Sequence, residues 1–221
     1  ASENAVFTTT FSDTDSAGRP RLAEVTVRRR LVGTFSILPG TAADTTVADM
    51  ANIVHKPIDE IWVRHLLFHR LPADSAGDRE WRLAAASGVR VATPGTGTQL
   101  VSVRVQSVSG IDITLTDPAG LWRLPDILRF TPDDSITVTA TTLRSDDIVV
   151  VHLPDHRFHM TNNGNQTYTF GWHTGSLPGW RHFGVNAFSR GTLYDDLQTY
   201  DSVSWILPFA VTTDPTVVYL P

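Results

Sequence analysis

Cysteine is absent from this chain, which excludes disulfides and cysteine-ligated zinc and leaves the compartment open. Lysine is nearly absent. Lys56 is the single one, so almost all positive charge is arginine, a bias that reads as a GC-rich coding source before it reads as function. No apolar run approaches the roughly 20 residues needed to cross a bilayer. The first residues, ASENAVFTTT, are small and polar and do not read as a secretion leader. The opening Ala in place of Met fits either trimming of the Met or cutting of a longer precursor. Excess positive charge is missing as well. A formal net charge of -5 and a pI near 5.9 argue against nucleic acid as the main partner, because that role needs a basic footprint to displace counterions. The triplet Arg28–Arg29–Arg30 would not make one basic patch, since neighbours on a strand face opposite ways. No nucleophile elbow, phosphate loop or dinucleotide fingerprint occurs.

What is present is alternation. From Ser135 to Val211 the chain runs in bursts, SITVTATTL, DIVVVHLP, TYTFGWHT, WRHFGVNAFS and YDSVSWILPFAV, each closed by turn residues. Period-2 alternation of this kind predicts antiparallel strands with one wet and one dry face. Upstream, Leu22 to Leu38 reads as a strand broken at Gly33 and closed by Pro39 and Gly40. The segment TVADMANIVH predicts a short helix near residues 46–55, with Thr46 and Asp49 at capping-box spacing. IDEIWVRHLLFHRL fits both a helical stripe and a strand, and the β-rich context favours the strand. Further strands are expected at Gly88 to Ala92 and Gln99 to Val108. The fold class is therefore all-β, an antiparallel β-sandwich of Ig-like or jelly-roll type with one short helix. A division into an N-terminal β region (1–105) and a C-terminal sandwich (106–221) is expected.

The C-terminal block resembles the bacterial immunoglobulin-like and fibronectin-III-like superfamily. FTPDDSITVTATTL matches a B-type strand, DDIVVVHLP a C strand, GNQTYTFGWHT an E strand and PGWRHFGVNAFSRG an F strand, with YDSVSWILPFAV last. The resemblance implies a two-sheet sandwich anchored by buried aromatics, and it carries no catalytic residues. Tyr168 and Trp172 are expected on one side of their strand and Phe170 on the other. The competing resemblance is a whole-chain jelly roll, residues 1–221, as in many small viral coat proteins.

Three constellations could carry chemistry. His152, His156 and His159, with Asp155 beside them, are imidazoles close enough in sequence to ligate zinc or copper, against the plainer reading of surface histidines in a turn. The acidic pairs Asp133/Asp134 and Asp146/Asp147 fall at strand ends. Calcium would use such loops, and solvated turns that start or stop strands explain them more cheaply. Trp122, Trp180 and Trp205 are candidates for stacking on a glycan or anchoring a neighbouring subunit, against the plainer reading of core tryptophans. His173 and His182 flank the SLPGW turn and would meet across a hairpin; Asn165-Gln-Thr167 is a glycosylation sequon.

With no catalytic signature and extended terminal segments, the leading expectation is a non-enzymatic structural protein. It would be a virion capsid or surface-decoration subunit, or an extracellular array component, partnered by itself or another structural protein. The alternatives are an extracellular carbohydrate- or partner-binding module and a His-ligated metal enzyme.

Overall fold

The structure, a computed structural model, describes residues 4–37, 53–71 and 80–214. It is an all-β sandwich with two sheets and one short helix among the described residues. The strands are β1 (Val6–Thr14), β2 (Pro20–Ile37), β3 (Val54–Arg70), β4 (Trp81–Ala92), β5 (Leu100–Ser107), β6 (Asp112–Leu115), β7 (Trp122–Arg123), β8 (Leu128–Phe130), β9 (Ser135–Thr142), β10 (Ile148–His152), β11 (Arg157–His159), β12 (Thr161–Asn162), β13 (Thr167–His173), β14 (Gly179–Phe188) and β15 (Ser202–Val211). The larger sheet runs β1-β2-β3-β4-β15-β14-β10-β11, with β8 parallel to β15 and β7 on β4. The smaller runs β12-β13-β9-β5-β6. β5 crosses residue 105, and β4 joins the N-terminal strands to β15.

Alternation builds the core as the sequence predicts. Ile136, Val138 and Ala140 of β9 are fully buried, and so are Phe183, Val185 and Ala187 of β14 on the facing sheet. The Phe183 ring sits in the middle of that core, tilted against Trp172 at 5.3 Å and against Phe209 at 6.0 Å. Trp205, Leu207, Phe209 and Val211 of β15 complete the dry layer. Burying one such side chain stabilises the fold by about 1.5–3 kcal/mol. A register shift between Leu100 and Ser102 reverses the parity of β5, which is why Leu100 and Val103 both point inward while Val101 is exposed.

Four expectations change. β2 continues through Gly33, because nothing crowds that position and Gly33 pairs with Ile58 across the ladder. Phe170 packs on the same core as Tyr168 and Trp172, stacked between Phe158 and Trp172, because residues two apart on a strand share a face. His173 and His182 lie on β13 and β14, which belong to different sheets, so the SLPGW segment is a crossover and not a hairpin turn. Most of the helix expected near 46–55 lies outside the described residues, and its last two positions, Val54 and His55, open β3. The helix observed is α1 (Arg190–Tyr194), whose N-cap Ser189 accepts from the Thr192 backbone N–H.

Candidate assembly surface and the adjoining groove

β1 to β4 extend the larger sheet beyond β15, forming an arm. Phe11 of β1 and Trp81 of β4 stand three strands apart, about 14 Å at ordinary strand spacing. Their ring centroids are nevertheless 6.0 Å apart. The arm therefore curls, and the curl explains how Ala23 and Val27 are buried without a strand of the smaller sheet paired to them. Two register irregularities between β3 and β4, at Arg64/Leu66 and at Leu67/Phe68, each place an extra residue on β4 and supply extra twist.

The other end of the β2–β3 ribbon is locked onto the sandwich. Phe35 stacks on Phe188 at 5.8 Å and meets Tyr200 at 5.3 Å, with Ile58 beside them. Lys56 is buried and donates to the carbonyls of Gly191 (2.8 Å) and Asp195 (2.6 Å), each of which also accepts a backbone N–H, from Asp195 and Gln198 respectively. Burial holds the Lys56 ammonium below its usual range, against the pull of Asp195 and Asp196. Glu60 accepts from Tyr200 (2.8 Å) and Ser202 (2.6 Å), and burial pushes the Tyr200 phenol upward.

Among the described residues, β1 is a free edge. All nine of its residues are exposed, and Phe7 and Phe11 are 64% and 57% exposed. From Val6 to Ser12 it carries no charge. The other edge strands are short: β11 has 3 residues, β12 has 2 and β6 has 4. Short edges are guarded against pairing with another chain, and a long neutral one is not.

Beside the arm, the outer face of the larger sheet carries a groove. One register row crosses it: Val27, Arg64, Val89, Ile206, Gly184, His152 and Arg157. Arg64 and His152 lie four strands apart, about 19 Å. Around His152 the groove opens to a cleft of about 600 Å³, and around Arg64, Trp62 and Trp180 to one of about 420 Å³; the two share His182 and Ile206. Burial, and then Arg157, hold the His152 imidazole below its usual range, so it is neutral at pH 7. Neither Arg64 Nε nor His152 Nε2 has a hydrogen-bond partner among the described residues.

The expected site residues disperse. His152 faces Arg157 across β10 and β11, His159 pairs with Val150 farther along, and His156 stacks on Phe158 at 5.7 Å. Among the described residues no three His, Cys, Asp or Glu side chains converge as a metal site would require. Asp134 is buried and holds Ser109, while Asp133 occupies a left-handed turn position at φ 57°. Asp146 is paired with Arg144 at 3.2 Å, and Asp147 is buried beside it. Trp205 is a core residue, 4% exposed, and is not offered to a partner. Trp122 packs against the core from the rim, and Trp180 lines the groove. Sequence reasoning does not reach the anchoring by Lys56 and Glu60, the place of Arg64 in the groove or the β1 edge; the singularity of Lys56 is the one available signal. Compared with known protein families, with curated proteins and with solved structures, the chain finds no match.

Proposed function

We propose that this chain is a non-enzymatic structural subunit that assembles through its β1–β4 arm, in a virion shell or surface decoration or in an extracellular array. The observation that carries the reading is the nine-residue exposed, largely neutral edge of β1 on a sheet whose other described edge is short. The strand order of the sandwich supports an Ig-like assignment over a jelly roll. Lettering β5, β9, β10, β12, β13, β14 and β15 as A to G gives sheets A-B-E-D and G-F-C, the immunoglobulin pairing order. Light scattering across concentration tests the assembly: a mass that grows with concentration supports it, and a monomer throughout refutes it.

A second reading has its own observation. Trp62 and Trp180 flank Arg64 in a groove that also holds His152 and Arg157, a combination suited to stacking on and neutralising an acidic glycan. Binding of acidic over neutral oligosaccharides, lost in Arg64→Ala, is the expected result for that module; equal binding by the variant refutes it.

A further inference from the structure

We infer that β1 pairs antiparallel with β1 of a second copy, about a two-fold axis at Thr9. This pairing rests on the assembly reading and gives it a partner and a register.

Length selects the partner. β1 offers about 30 Å of edge at about 3.4 Å per residue. Among the described edges, only β1 itself matches it; pairing with β6, β11 or β12 of another copy would leave most of the edge unpaired. A strand that pairs with its own equivalent makes an isologous, closed dimer, whereas unlike edges would build rings or open filaments.

Side-chain chemistry selects the register. Phe7, Thr9 and Phe11 share the concave face of the arm, opposite Val27, Val25 and Ala23 of β2. Centring the axis on Thr9 sets Phe7 opposite Phe11 of the second copy twice over, Thr8 opposite Thr10, Val6 opposite Ser12 and Asp13 opposite Ala5. Centring it on Thr10 would pair all nine residues, but it would place Phe7 against Asp13. Aromatic cross-strand pairs are favourable, and an apolar ring against a carboxylate is not. The neutral stretch from Val6 to Ser12 also means that no like charges meet along the seam.

The absence of cysteine makes the test clean, because each single-cysteine variant of the full chain carries one thiol. Directly opposed antiparallel residues have Cα atoms about 4.5–5.5 Å apart, within the span a disulfide bridges. Thr9→Cys is expected to form a disulfide dimer under mild oxidation, well above the collisional background set by Leu197→Cys, a 95% exposed loop position. Phe7→Cys mixed with Phe11→Cys is expected to cross-link as a heterodimer. The double variant F7S/F11S is expected to weaken self-association about tenfold or more, with an unchanged far-ultraviolet spectrum. Preferential cross-linking of Thr10→Cys overturns the register. Thr9→Cys at background while the parent chain grows in mass with concentration overturns the edge pairing and leaves the assembly reading standing. A parent chain that stays monomeric overturns both.

Discussion

Asp147→Asn should stabilise this protein at neutral pH and leave it unchanged in acid. The Asp147 side chain is fully buried, and neither carboxylate oxygen has a hydrogen-bond partner among the described residues. The nearby Thr142 hydroxyl donates to the Arg144 carbonyl instead. Arg144 is 3.9 Å away but is drawn toward Asp146. Burial dominates, and it pushes the Asp147 carboxyl up from 3.8 to about 6. Between those values the native state holds a proton that the unfolded chain has released. Stability therefore falls as pH rises from about 4 to about 6 and stays reduced above, by on the order of 3 kcal/mol for a shift of about two units. Asparagine has the same shape and no charge to desolvate. Urea unfolding at pH 4 should give matching midpoints for parent and variant, and at pH 7.5 a higher midpoint for the variant. A destabilised variant at pH 7.5, or an equal effect at both pH values, would show that the buried Asp147 charge does not cost stability. Calcium discriminates the other role of this loop: if Asp146 and Asp147 bound it, added calcium would stabilise the parent above pH 6 and not the variant.

Further outcomes follow from the packing. Lys56→Met should cost about 1–3 kcal/mol, because two hydrogen bonds from a charged donor that tie β3 to the α1 segment are lost, and limited proteolysis should then cut the β2–β3 ribbon faster. Gly88→Ala should lower the thermal midpoint by several degrees, since a Cβ there would lie 2.9 Å from the Ile206 carbonyl oxygen and 3.1 Å from that of Pro118. Tyr168→Phe should cost about 1 kcal/mol in denaturant unfolding by removing the hydroxyl that donates to the Asp147 carbonyl at 2.8 Å.

The sandwich is legible because its signal is local. Period-2 alternation in SITVTATTL and DIVVVHLP reports which residues turn inward before any partner strand is known. β3 is half legible: IDEIWVRHLLFHRL satisfies both periods, and only the context of neighbouring strands decides. The arm's curl is not legible, since it depends on Phe11 reaching Trp81 across small Ala23, three residues far apart in sequence. α1 has a readable cap in Ser189-Arg-Gly-Thr192, whereas the capping spacing of Thr46 and Asp49 lies outside the described residues. Among the described residues no three His, Cys, Asp or Glu side chains of the metal and calcium candidates come together. Strand pairing separates His159 from His152, and Arg144 and Ser109 take up the carboxylates of Asp146 and Asp134. The edge of β1 is a property of topology, invisible until the partners of the other strands are known.

Sedimentation equilibrium of the full chain at pH 7.5, over a wide range of concentration and with F7S/F11S alongside, tests assembly through the arm most directly. Edge pairing through β1 predicts a monomer–dimer equilibrium for the parent, shifted toward monomer in the variant. A single monomeric mass for both chains at every concentration would contradict it.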